Sequence, residues 1–290
     1  MSGTVTIGSD RLRAEIAPLG AELQRLTDAD GRELLWDGDP AFWASRAPIL
    51  FPIVGTLRDD RFLHEGRTYS LPRHGFARRR EFAVVAQSAD SVTFRLDSDD
   101  ATRAVWPFDI RLDMRFTIAG AAIEMRAIVT NLSDAAMPTS FGFHPALRWP
   151  LPGGGRREDH AIVFDRPEPE PIRRLDPDGL IDAVPLPSPV DGRRLALSDE
   201  LFAYDALIFD RPASRRLVYG VEGTTQIAVD YEGMPALGLW SKPGAGFVCI
   251  EPWQGYADPA DASGDIADKP GTISIAAGET RDFAMTISIL

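Results

Sequence analysis

The chain has 290 residues, 44% hydrophobic and 26% charged, enough apolar side chain for a large core that needs no metal or disulfide staple. Its 43 Asp and Glu outnumber 31 Lys and Arg, giving a net charge of −12 that repels nucleic acid and anionic membranes on average. The single Cys249 excludes an internal disulfide and a cysteine-built zinc cluster.

No apolar run approaches the roughly 18 residues of a membrane helix. Met1 to Asp10 lacks the basic-then-apolar pattern of a secretory signal, which makes the cytoplasm the expected location.

Along the chain, a short turn around Pro40–Arg46 is the first helical candidate. Two stretches rich in Pro and Gly follow, Pro48–Arg58 and Leu71–Arg78. From Val92-Phe94-Leu96 onward, apolar residues alternate with polar ones. The clearest run is Phe108, Ile110, Leu112, Met114, Phe116 and Ile118, followed by Ile123-Met125-Ala127-Val129. Period-2 alternation predicts strands with one buried face. Residues 150–194, rich in Pro, Gly and charge, read as a long surface excursion within one domain rather than a linker, because strands of the same character resume beyond them. Asp199–Ala203 is the second helical candidate. The strands Leu217-Tyr219-Val221, Ile227-Val229-Tyr231 and Phe283-Met285-Ile287-Ile289 complete the pattern. The expectation is an all-β fold, a large antiparallel sandwich forming one domain over residues 1–290.

Three segments hold polar residues in apolar or stiffened backbone. In Phe247–Trp253, alternation puts Phe247, Cys249 and Glu251 on one face and Val248 and Ile250 on the other. A carboxylate there either turns outward to water or is buried, in which case its proton affinity rises and it suits a general base. His144, in Ser140–Pro145, precedes a proline as Glu251 does, so both project from extended backbone. Histidine suits proton transfer, although a lone His is more often structural, the reading given to His64 and His160. In the third segment Gly75 follows His74 and permits close backbone approach. Arg58 and Arg78 are placed to bond hydroxyls or a phosphate, while Arg79 and Arg80 read as a solvated charge run. Trp36, Trp43, Trp149, Trp240 and Trp253 either offer flat faces to a sugar or fill the core. No nucleophile elbow, Walker loop, G-x-G-x-x-G or H-E-x-x-H is present.

In this order, Ala47–Arg58, His74–Arg78, Phe141–Pro145, Leu201–Phe209 and Val248–Gly255 resemble the aldose 1-epimerase (mutarotase) family, and the similarity runs over nearly the whole chain. The resemblance implies a galactose mutarotase-like supersandwich and an enzyme with no cofactor. The expected partner is a small sugar or sugar phosphate, and a monomer or homodimer is expected. It implies Glu251 as general base, His144 as general acid, and His74, Arg58 and Asp205 as sugar-binding residues. The acid and base are expected to face each other across a hexose-sized hollow. Leu57 stands where galactose mutarotases have Asn, and Phe76 where they have a second Gly. His74–Arg78 is instead similar to the hexose-6-phosphate branch, in which Arg58 with Arg78 would meet the phosphate. Two other readings use the same residues: a His74, His144, Glu251 metal site, and a sugar-binding protein without turnover.

Overall fold

A computed structural model describes residues 3–290. Strands take up 45% of the chain and helices 7%. Nine strands form one antiparallel sheet, in the spatial order Arg194–Ala196, Ala161–Phe164, Arg216–Gly220, Gln226–Glu232, Thr280–Ile289, Ala122–Asn131, Ile110–Ala119, Ser91–Asp97 and Ala83–Gln87. The alternating stretches of the sequence supply most of this sheet, because a side-chain period of two sends every second residue inward. Ile110, Leu112, Met114, Phe116 and Ile118 are all buried, as are Ile123, Met125, Ala127 and Val129. These two long strands meet in a two-residue hairpin whose first turn residue, Gly120, has φ 58°, a conformation glycine adopts without strain.

The second large sheet runs in the order Leu207–Phe209, Ala236–Trp240, Phe247–Gln254, Phe141–Phe143 and Ile49–Leu50, with Ala146–Arg148 also paired to Phe247–Gln254. Its central strand, Phe247–Gln254, is buried at every residue. Val248 and Ile250 join the main core, together with the inward residues of the nine-stranded sheet. Phe247 and Cys249 point the other way, into a cluster with Trp36, Ala146 and Ala245. Both faces of this sheet are therefore covered, and its outer face is where polar residues meet apolar surroundings.

Three shorter strands, Val5–Gly8, Leu12–Ala17 and Glu22–Asp28, make a separate antiparallel sheet that the alternation pattern did not predict. Of the two helical candidates, Pro40–Arg46 holds only a turn closed by bonds to the Asp39 carbonyl, and Asp199–Phe202 is a single 3-10 turn. One α-helical turn, Asp100–Arg103, was not predicted; it is capped by Asp99 and Thr102 bonding reciprocally. Residues 150–194 are not all the surface excursion expected: Ala161–Phe164 is a largely buried strand inside the nine-stranded sheet, its run of four apolar residues having no alternation to mark it. Only the later part folds back, with Arg173 bridging Ile208 of the second sheet and Ile181 bridging Pro259. No helix among the described residues is long and apolar enough to cross a membrane.

Candidate active site

A cavity of about 290 Å³ opens on the outer face of the second sheet. That volume sits at the small end of the roughly 300–1,000 Å³ typical of ligand sites, suiting a single small molecule. Strand register explains its floor. Gly142 pairs with Trp253 and Ala146 pairs with Cys249. Carrying that register across the break at His144-Pro145 sets His144 opposite Glu251. On the other side of Glu251 lies Gly238, and beyond Gly238 lies Ile208. Glycine at 142 and 238 leaves room for the Trp253 indole, since a Cβ at those positions would stand 2.6 and 2.3 Å from its ring atoms.

His144 Nε2 lies 3.1 Å from Glu251 Oε2. The two side chains are thus in direct contact on one wall of the cavity, not across a hollow as the sequence suggested. The reason is the register just described: they are cross-strand neighbours on the same face. The His144 ring stacks on Trp43 with centroids 4.9 Å apart and meets the edge of Trp240 at 5.7 Å. This enclosure pushes the imidazole from 6.5 down to about 3, with the nearby Arg73 and Arg78 adding to the shift. Burial likewise drives the Glu251 carboxyl well above the ordinary carboxylate range, with Arg73 pulling the other way. Both directions favour a neutral contact, with the carboxyl protonated and the imidazole uncharged. This reverses the resting arrangement of carboxylate base and protonated imidazole expected from the sequence, because burial disfavours either charge.

His74 lies at the rim of the same cavity, its ring centroid 5.9 Å from that of His144. Its Nδ1 accepts a hydrogen bond from the Gly55 N–H at 3.1 Å. That bond fixes the proton on Nε2, so His74 presents a donor; the Arg73 Nε found 3.3 Å from Nε2 is then a close contact, not a bond to a lone pair. Burial, followed by the charge of Arg73, keeps His74 neutral by pushing its pKa well below the usual value. Asp205 and Arg73 face each other at 3.9 Å and both line the cavity. Arg174, from the excursion, holds the Asp205 loop by donating to the carbonyls of Leu201 and Asp205. His74 and Asp205 have φ of 69° and 63°, left-handed values that cost a non-glycine residue about 1–3 kcal/mol where the fold over-determines them.

The structure brings Glu251, His144, His74, Asp205 and Arg78 to one cavity. Arg58 is not among its lining residues. It begins a 3-10 turn, Arg58–Asp60, and its backbone N–H is tied to Asp258, so the chain turns away at that point. Arg73 stands in the cavity instead, and sequence reasoning passed over it. Its position next to His74 was the available signal. Arg78 donates to the Arg73 carbonyl at 2.9 Å and so braces that residue. Trp43, Trp240 and Trp253 line the cavity, whereas Trp36 and Trp149 are buried away from it. The donor atoms that converge closely enough for a metal are those of His144, Cys249 and Glu251, not the set containing His74, whose Nδ1 is committed to Gly55. His160 is held at both ring nitrogens, accepting from the Leu151 N–H and facing the Arg156 carbonyl, as a structural histidine should be.

Residues 3–285 match the family model described as aldose 1-epimerase. Protein LacX of Lactococcus lactis subsp. lactis is 31% identical over 297 residues, covering 99% of each chain. The crystal structure of a galactose mutarotase related enzyme from Lactobacillus acidophilus superposes with a TM-score of 0.91 at 31% identity, covering 99% of this chain and 97% of that one. A Salmonella typhimurium protein, itself only provisionally described as a glucose-6-phosphate 1-epimerase, is 30% identical over 164 residues, 53% of each chain.

Proposed function

The chain belongs to the aldose 1-epimerase family, and on that premise we propose that it interconverts the α and β anomers of an aldohexose or a related sugar by acid–base opening and closure of the ring. The observation that carries this reading is the Glu251–His144 contact at the cavity wall. Opening a pyranose removes a proton from the anomeric hydroxyl and delivers one to the ring oxygen. Both oxygens are bonded to C1, so the two groups that serve them must both reach the C1 end of the sugar. A pair 3.1 Å apart meets that demand.

The proton inventory also fits. When sugar hydroxyls replace the apolar surroundings, transfer of the shared proton from Glu251 to His144 yields a carboxylate base and an imidazolium acid. Glu251 then takes the anomeric proton while His144 protonates the ring oxygen. The carbonyl end rotates and the ring recloses with both transfers reversed, so the pair returns to its starting state each turn. Positioned acid–base help of this kind is worth about 10²–10⁴-fold. His74, Arg73, Arg78 and Asp205 are the groups assigned to hold hydroxyls in place.

A second reading, a hexose 6-phosphate as substrate, is favoured by the two guanidinium groups of Arg73 and Arg78 at the cavity and by the Salmonella relative. Proton NMR of freshly dissolved α-glucose, α-galactose and their 6-phosphates tests both readings. Anomer exchange faster than in buffer is expected for at least one sugar. Tight binding with no acceleration would instead mark a sugar-binding protein.

A further inference from the structure

We propose that Cys249 joins His144 and Glu251 as the third ligand of an inhibitory site for a thiophilic divalent cation of the zinc or cadmium type. The inference rests on the proton-transfer roles given to His144 and Glu251, because an ion that captures both groups stops the transfer. The three donor atoms lie within 4.8 Å of one another and all three residues are buried. Cys249 is two positions before Glu251 on the same strand face, and the strand register sets His144 beside Glu251. Apart from His144 Nε2, 3.1 Å away and itself part of the cluster, Glu251 Oε2 is buried with no polar partner.

Binding displaces to solvent the Cys249 thiol proton, which burial holds tightly, and the Glu251 carboxyl proton. That leaves one thiolate, one imidazole and one carboxylate, a zinc donor set. Ligand atoms around a tetrahedral zinc stand roughly 3.3–3.8 Å apart, given bonds of about 2.0–2.3 Å, so the widest pair must close by up to roughly 1–1.5 Å. Cys249 sits behind the cavity lining, against Ala146 and Phe247. It therefore has no contact with a sugar in the cavity, while His144 and Glu251, which the ion must share, do face that space. Sugar and ion should exclude each other.

The experiment titrates the full-length protein with cadmium alone, reading the ultraviolet thiolate-to-cadmium charge-transfer band, and separately measures zinc inhibition of anomer exchange at several sugar concentrations. Wild type should show the band at one cadmium per chain and zinc inhibition relieved by sugar. Cys249→Ala should lose the band and need at least about tenfold more zinc for half-inhibition, with an uninhibited rate within about twofold of wild type. Cys249→Ser, closer in volume, should lose the band too and guards against a packing defect in the alanine variant. No band in wild type, or equal zinc sensitivity with and without the thiol, overturns the site. Absence of any anomer exchange would sink the proposed function and with it the inhibitory role, while the cadmium band, which needs no turnover, would still report the three-ligand site.

Discussion

The indole of Trp253 occupies the space that a Cβ on Gly238 would need, its outer ring atoms lying 2.3 and 2.4 Å from that position. Gly238 is also the cross-strand neighbour of Glu251. A single methyl at residue 238 therefore pushes on the cavity floor directly beside the proton-transfer pair. Gly238→Ala should destabilise the fold by about 1–3 kcal/mol, the usual cost of overpacking, and raise KM. Denaturant unfolding and the substrate dependence of anomer exchange check both. An unaltered KM would show that Trp253 has no part in holding the sugar.

The pH profile follows from the enclosure of His144. The pair works with one proton between its members and fails when a second is added at low pH or the last is lost at high pH. Burial holds the imidazole near 3, so the second proton arrives late and the acidic limb should lie well below 6.5. Burial raises Glu251, so the last proton also leaves late. The plateau should span neutrality on both sides. Trp43→Ala admits water to the stacked face of His144 and should move the acidic limb of kcat/KM upward toward 6.5. A limb already at 6.5 in wild type would contradict the buried-pair account.

Two arginines separate the cavity from its margin. Arg73→Ala should lower kcat/KM about 10–100-fold, the equivalent of a lost charged hydrogen bond, whereas Arg58→Ala should stay within about twofold because Arg58 does not line the cavity. A greater loss on 6-phosphates than on free sugars in Arg73→Ala would identify the phosphate's partner. Equal defects in both variants would return Arg58 to the site.

Away from the chemistry, Lys269 and Asp258 form an ion pair at 3.1 Å with side chains 1% and 4% exposed. Asp258 also accepts the Arg58 N–H, and Lys269 donates to the Tyr256 carbonyl at 2.5 Å. This pins the segment whose Ala257 packs on Gly55 at the cavity wall. Lys269→Met leaves an unpaired buried carboxylate and should cost about 3–5 kcal/mol in urea unfolding. A loss below 1 kcal/mol would mean that the carboxylate finds water.

Much of the nine-stranded sheet was legible because long runs such as Ile110–Ala119 alternate without interruption. The N-terminal sheet was not, since its buried positions include small Ala14, and the bulge at Gln24 sets the buried Leu23 and Leu26 three residues apart, which breaks the period. Glu251 and His144 stood out as polar residues before prolines in apolar strands. Their contact, though, is a matter of register between distant strands, and nothing local encodes which strands pair. The same holds for Cys249: alternation put it on the Glu251 face, but only strand pairing brings it near His144. Arg58 and Arg73 were indistinguishable as arginines beside Gly- and Pro-rich turns. What parts them is the direction the chain takes after Leu57, set by the Asp258 bond from a remote segment.

The most direct measurement is the anomer-exchange rate of Glu251→Gln by proton NMR or polarimetry, with circular dichroism to verify the fold. Glutamine keeps the shape and the cross-strand position but can neither hold nor accept the shared proton. The rate should fall by about two orders of magnitude or more, and His144→Asn should match it while His160→Asn behaves as wild type. A folded Glu251→Gln protein that still exchanges anomers at the wild-type rate would contradict the account.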